Sequence, residues 1–329
     1  MTIVSIVQND SIRNAVEESV RLIGGIESFV HPQDKVVIKP NLVFGLPPFT
    51  GFTTDPPVVQ AIIELCQERD SLDVSIAEGS GCIDTNLAFR ACGYVELAEK
   101  YGVKLIDLNE SPTRNVIVPR GQIVQELEIP RVITDCDVLI NMPKLKLYRQ
   151  TPGKNDWASL AVKNLMGALP GRAVYSDRRP PGFCIQLSQE FLNTESRYYH
   201  SAYRQWWSPG REKRRIHKNL AQGLVDLNTV LRPTLNVIDG IVVSSDVNMT
   251  DTIGQEPFNL NTILASQDPL ALDFISARIA GLNPHSISYL KHAAERGLGE
   301  SNYDGIQLLG TPLSTIVKTW KRGVAALRE

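Results

Sequence analysis

Lysine and asparagine recur in this chain where apolar runs end. Lys39 and Asn41 flank Pro40 after Val36-Val37-Ile38, Asn141, Lys144 and Lys146 bracket Met142-Pro143, and Lys163 and Asn164 follow Leu160-Ala161-Val162. An ammonium beside a buried strand must reach solvent or find an anion, because an unpaired buried cation is costly and its pKa falls. Taken together, these amines suggest an anionic ligand held by Lys39, Lys144 and Lys146 and oriented by hydrogen bonds from Asn41, Asn141 and Asn164. Taken singly, each lysine reads as well as a side chain that snorkels to the surface or pairs with a structural carboxylate. Lys163 is the preferred base, since neighbouring cations would depress its pKa toward neutrality, and His217, after the basic stretch Arg211 to Lys218, is the other proton carrier.

Two acidic residues join the candidate set. Glu78 opens Glu78-Gly79-Ser80-Gly81, where small residues let backbone amides approach an oxyanion; a plain turn accounts for the segment equally well. It is neither a G-x-G-x-x-G nor a Walker loop, so no nucleotide cofactor is expected. Asp239, in Asp239-Gly240 at a strand end, could orient a lysine or histidine or bind a hard cation, as could Asp268 and Asp273; for Asp268 before Pro269, helix capping is the simpler role. Histidines at zinc-hydrolase spacing and C-x-x-C pairs are both missing from the sequence. A zinc site and an iron–sulfur cluster are therefore not expected, while a bound metal ion stays open.

These residues need a scaffold, and the apolar pattern describes one. Short β-branched runs alternate with helix-period segments, which predicts an α/β fold of mostly parallel sheets flanked by helices, in two lobes with a cleft between them. Strands are predicted at Thr2 to Val7, Lys35 to Lys39, Leu72 to Ala77, Lys104 to Asp107, Asp137 to Asn141, Thr234 to Asp239, Leu260 to Ala265 and Ile306 to Leu309. Ser11, Asp55 before Pro56, Asp84 and Asp268 mark helix starts. An N-terminal lobe is expected over 1–150, a loop-rich insertion or lid over 151–215, and a C-terminal lobe over 216–329 that could pack into one unit with the first. In open α/β sheets ligands bind beyond the carboxyl ends of the strands, which is where the lysine-proline segments fall.

The composition limits the class further. The chain has 329 residues, 43% hydrophobic and 21% charged, with 34 basic against 36 acidic side chains. That balance supports a sizeable core and argues against nucleic acid as a partner, despite the basic run around Trp206 and Trp207. An odd count of five cysteines argues against a disulfide framework. With no apolar run long enough to span a bilayer and no leader-like start, the expectation is a cytoplasmic protein without a membrane partner, its homodimerisation left open.

Several segments also carry a resemblance. Val37-Ile38-Lys39-Pro40-Asn41-Leu42, Thr54-Asp55-Pro56, Ile140 to Lys146, Leu160 to Gly167, Val237-Ile238-Asp239-Gly240 and Ala265 to Asp273 follow one another as in the family called domain of unknown function 362, over about residues 35 to 300. The resemblance implies no established chemistry. Many members carry an appended ferredoxin module, for which this chain has no cysteine pattern. Where members often have Thr-His after the second lysine, this chain has Leu147-Tyr148, so a histidine role is not implied there. A Gly-rich segment usual after the Asp-Gly strand is replaced by Ser244 to Met249, which suggests a specialised pocket. The architecture is also distantly similar to lactate racemase. The resulting expectation is an enzyme acting on a small carboxylate- or phosphate-bearing metabolite by acid–base chemistry of lyase, cyclase or isomerase type. The alternative is a non-catalytic protein that binds or delivers a metal or anionic cofactor.

Overall fold

The computed structural model describes residues 1–42, 45–71, 73–81, 83–148, 157–173, 207–209, 216, 219–245 and 257–326. Eight predicted strands form, β1 (Thr2–Gln8), β2 (Lys35–Lys39), β3 (Asp73–Glu78), β4 (Lys104–Asp107), and later β7 (Val138–Asn141), β12 (Leu235–Ser245), β13 (Phe258–Ser266) and β14 (Ile306–Gly310), close to their expected bounds except for β12, which continues past the expected end at Asp239 to Ser245. Sequence reasoning did not anticipate the antiparallel pair β5 (Thr113–Ile117) and β6 (Glu126–Pro130), the short strands β8 (Lys144–Tyr148) and β9 (Trp157–Ser159), or the pair β10 (Gly171–Ala173) and β11 (Trp207–Pro209). β6 (Glu-Leu-Glu-Ile-Pro) and β8 (Lys-Leu-Lys-Leu-Tyr) do alternate polar with apolar residues, but runs of three to five residues are too short for that period to stand out.

Among the described residues one ten-stranded sheet runs in the order β14-β1-β13-β12-β7-β2-β3-β4, with β8 paired to β12 and β9. The pairs β2 with β3, β2 with β7, β3 with β4 and β12 with β7 are parallel, whereas β13 is antiparallel to both β1 and β12. Strands expected in two lobes thus share hydrogen bonds in one sheet. The N-terminal β1 sits between β13 and β14 from the other end of the chain, where its segment, unlike a local hairpin, must wait for distant partners.

Helices cover both faces. On one lie α1 (Ile12–Leu22), α2 (Pro56–Gln67), α3 (Thr85–Ala91) and α4 (Tyr94–Tyr101); α5 (Arg131–Thr134) is a single turn. The other carries α6 (Ala161–Asn164), α7 (Leu220–Val230), α8 (Pro269–Ile279), α9 (Ser288–Glu295) and α10 (Leu313–Ala326). Each face has its own core. Val36, Ile38, Val237 and Ile263 join the first, and Val37, Ile238 and Leu264 join the second. Period-2 alternation sends neighbours to opposite sides, so strands covered on both faces read as unbroken apolar runs. Ser11 caps α1 by accepting from the Asn14 amide, Asp84 caps α3 through Leu87, and Asp268 caps α8 through Leu270 and Ala271. Asp55 sits at the start of α2, but its side chain makes no capping hydrogen bond.

Candidate active site at the strand ends

The carboxyl ends of β2, β3 and β7 converge, and the polar residues there are buried. Lys39 ends β2 with its side chain fully enclosed, and its Nζ donates to Glu78 Oε1 at 2.9 Å and to the Pro40 carbonyl at 3.1 Å. Glu78, at the end of β3, also accepts from the amides of Leu42 and Gly79. A Cβ on Gly167 would lie 2.4 Å from Glu78 Oε1 and 2.7 Å from Lys39 Nζ, so only glycine lets that segment close over the pair. The expected phosphate cradle at Glu78-Gly79-Ser80-Gly81 is accordingly occupied from within: the Gly79 amide serves Glu78 and the Ser80 amide donates to Thr85 Oγ1.

A second ion pair lies on the α2 face. Lys144 Nζ donates to Asp239 Oδ2 at 2.9 Å, with both side chains fully buried. Asp239 Oδ2 also accepts from the Asp55 amide at 2.7 Å, and Oδ1 accepts from the Ile241 amide at 2.9 Å. That last bond explains the Asp-Gly motif. The ladder with β13 shifts register between Gly240 and Val242, and a Cβ at Gly240 would stand 2.7 Å from the Thr262 carbonyl. Asp55 faces this pair. Burial foremost, and then the negative charge of Asp239, push its carboxyl up to about 6, while Lys144 pulls it down. Sequence reasoning took Asp55 only as a helix start; the Thr-Asp-Pro motif carried the signal, but its distance to Asp239 is a tertiary fact.

On the opposite face the asparagines form a single file. Asn41 Nδ2 donates to Asn164 Oδ1 at 2.8 Å, Asn164 Nδ2 to Asn141 Oδ1 at 2.8 Å, and Asn141 Nδ2 to Asn236 Oδ1 at 2.9 Å. Lys146 feeds one end by donating to Asn41 Oδ1, and Asn236 Nδ2 closes the other on the Gln267 carbonyl at 3.1 Å. An ammonium can only donate and a carbonyl can only accept, so the two ends set the direction of every amide between them. Lys146 Nζ also donates to the Phe52 carbonyl at 3.0 Å. Asn236 was not singled out from the sequence; only its register opposite Asn141 brings it into the file.

Lys163 lies on α6, half-buried and next to Asn164. The helix is one turn long, and Asp273 of α8 holds its start by accepting from the amides of Ala161 at 2.7 Å and Val162 at 3.1 Å, with the Tyr289 hydroxyl donating at 3.1 Å. Burial pushes the Asp273 carboxyl up to about 7 despite those donors. Asp273 therefore anchors the start of the helix that carries Lys163. His217 lies outside the described residues, as does most of the expected insertion over 151–215.

The structure thus gathers Lys39, Asn41, Glu78, Asn141, Lys144, Lys146, Asn164 and Asp239 into linked buried networks at one strand edge. It also corrects the anion-receptor reading in one respect. Lys39 and Lys144 already face carboxylates, so their charge is neutralised inside the protein. Among the described residues no group of three or more His, Cys, Asp or Glu side chains is placed to hold a metal ion, and no helix is long and apolar enough to cross a membrane.

Comparison with known proteins assigns the sequence to a family. Residues 36–278 match the domain of unknown function family DUF362, and the chain belongs to that family. It is 26% identical over 306 residues to the thylakoid-associated protein sll1697 of Synechocystis sp., a distant homologue, covering 91% of this chain and 79% of that protein. The lactate racemase apoprotein of Thermoanaerobacterium thermosaccharolyticum aligns with a TM-score of 0.45 at 11% identity, over 85% of this chain and 57% of that one.

Proposed function

We propose that the protein is an enzyme that acts on a small carboxylate- or phosphate-bearing metabolite by acid–base chemistry, of lyase, cyclase or isomerase type. The observation that carries this reading is Asp55: a carboxyl shifted to about 6, beside the buried Lys144–Asp239 pair, at the edge of the sheet where α/β proteins bind ligands. A carboxyl tuned there exchanges a proton near neutral pH at little cost. Asp55 approaches the strand edge from the α2 face and Lys163 from the α6 face. In this reading they are the two proton-handling groups, with His217 as a further carrier. Asp239 and Lys144 hold the local charge around Asp55, and Lys39 with Glu78 braces the floor. The asparagine file aims Lys146 and α6, so the substrate anion is met by Lys146 and by Asn41 and Asn164 at the end of that file. No nucleotide, iron–sulfur cluster or nucleic-acid partner enters the scheme, and a cytoplasmic setting suits it.

Acid–base chemistry at carbon leaves an isotopic trace. Incubation in D2O with a panel of hydroxy-, keto- and phospho-carboxylates, followed by NMR, should show deuterium entering one compound. Lys163→Met should abolish that exchange with the melting temperature held within a few degrees. No exchange from any compound, together with a metal or anion retained at stoichiometry through gentle purification, would favour a binding or delivery protein instead.

A further inference from the structure

Tyr94 opens α4 with its side chain fully enclosed, and it takes no part in the proton transfers proposed above. Burial foremost, and then neighbours led by Cys92 and Asp239, hold its phenol well above the ordinary range, so the hydroxyl stays a donor. It donates to the Thr54 carbonyl at 3.0 Å. That carbonyl and the Asp55 N–H belong to one planar peptide group, and the N–H donates to Asp239 Oδ2 at 2.7 Å. A single rigid unit is therefore held at both edges, by a phenol on one side and by the buried Lys144–Asp239 pair on the other. Donation into the carbonyl also polarises the peptide and strengthens its N–H as a donor to the carboxylate.

The flanking residues remove the remaining backbone freedom. Thr54 is fully buried and joins two strand ends: its amide donates to the Asn41 carbonyl at 3.0 Å, and its Oγ1 accepts from the Asn41 amide at 2.9 Å and donates to the Met142 carbonyl at 2.8 Å. On the other side Pro56 confines Asp55 to extended backbone, as found at φ −75° and ψ 126°. Gly93, at φ +79°, makes the left-handed turn into α4, and a Cβ there would stand 3.7 Å from Pro56 Cγ, so the start of α4 lies against the start of α2. Asp55 itself is only partly buried, which leaves its carboxyl within reach of a ligand while its backbone is fixed. A buried phenol is satisfied by any acceptor. Here the acceptor is the one carbonyl whose own peptide N–H touches Asp239.

We infer that Tyr94 is a positioning residue: by clamping the Thr54–Asp55 peptide against Asp239, it fixes the Asp55 carboxyl beside the Lys144–Asp239 pair at the strand edge. The inference rests on the proposed role of Asp55, and NMR of the full chain tests the two separately.

Tyr94→Phe keeps the ring and removes the donor. In the wild type the Tyr94 hydroxyl proton should give a slowly exchanging signal that the variant lacks, a measurement that does not depend on the variant folding. Hydrogen exchange of the Asp55 amide should accelerate roughly tenfold in Tyr94→Phe relative to the amides of α8, the loss of one hydrogen bond at that peptide. The Asp55 carboxyl, followed by its carbon shift, should titrate about one pH unit lower in the variant, because a loosened backbone lets it turn toward water. A wild-type hydroxyl proton in fast exchange, an unchanged Asp55 amide rate, or a midpoint that stays at about 6 in Tyr94→Phe would each overturn the clamp and leave the acid–base reading intact. A wild-type midpoint near about 4 would instead remove Asp55 from that reading, with the amide rate still deciding the clamp.

Discussion

The two faces of the sheet solve the same problem with different chemistry. Beneath α2 and across the β2–β3 edge, buried polar groups are matched as ions, Lys144 with Asp239 and Lys39 with Glu78. Beneath α6, they are matched as neutral amides in a directed row from Asn41 to Asn236. Ion pairs bind strongly but carry a large desolvation cost, and removing one partner strands a charge. An amide row carries less risk per link, polarises along its length, and does not titrate. The contrast gives one side charges that can be stranded and the other a directed row, while a carboxyl raised toward neutrality lies on each, Asp55 beneath α2 and Asp273 beside α6.

The largest effect should come from stranding a charge. Lys39→Met leaves Glu78 buried with only two backbone donors, and urea denaturation should show a loss of about 3–5 kcal/mol. Adding Glu78→Gln should recover much of it; a double variant no more stable than the single one would mean that the two faces do not differ as described. Interrupting the amide row is next. Asn164→Leu deprives the Asn41 amide and the Asn141 carbonyl of partners, a cost of about 2–4 kcal/mol in the same measurement, with m unchanged.

The pH dependence runs across both faces. The carboxyls of Asp55 and Asp273 sit at about 6 and about 7 in the folded chain. An unfolded aspartate titrates near about 3.9, so between these values the folded state holds protons that the unfolded state has released. Their contribution is therefore most favourable below about pH 4, declines as pH rises through the folded values, and is level above about pH 7. Asp55→Asn should gain on the wild type between about pH 4 and 6 and hold that advantage above. A constant difference across the range would remove Asp55 from the titrating set. The smallest effect belongs to the end of the row. Asn236→Ala should cost about 1–2 kcal/mol, because Asn141 Nδ2 keeps the Ala161 carbonyl.

Much of this scaffold is legible in the chain. The runs Val36-Val37-Ile38 and Val138-Leu139-Ile140 demand cover on both faces, and Ser11, Asp84 and Asp268 mark helix starts that the structure uses as caps. The lysine and asparagine positions at the strand ends were equally visible, since a polar residue closing an apolar run has few places to go. Their partners were not. Glu78 looked like part of a phosphate loop, Asp55 like a cap, and Asn236 like an ordinary strand residue, because each acquires its role from a side chain between 39 and 184 positions away.

Residue type and alternation alone therefore determine a covered α/β sheet with amines and amides placed where its strands end. Which amine meets which carboxylate, which amides align into a row, and which carboxyl is left to titrate near neutrality were decided only when β2, β3, β7 and β12 came together. Apolar burial is additive and local enough to be read from a pattern, whereas pairing, proton affinity and hydrogen-bond direction depend on the distance and dielectric between groups that the fold alone brings into contact.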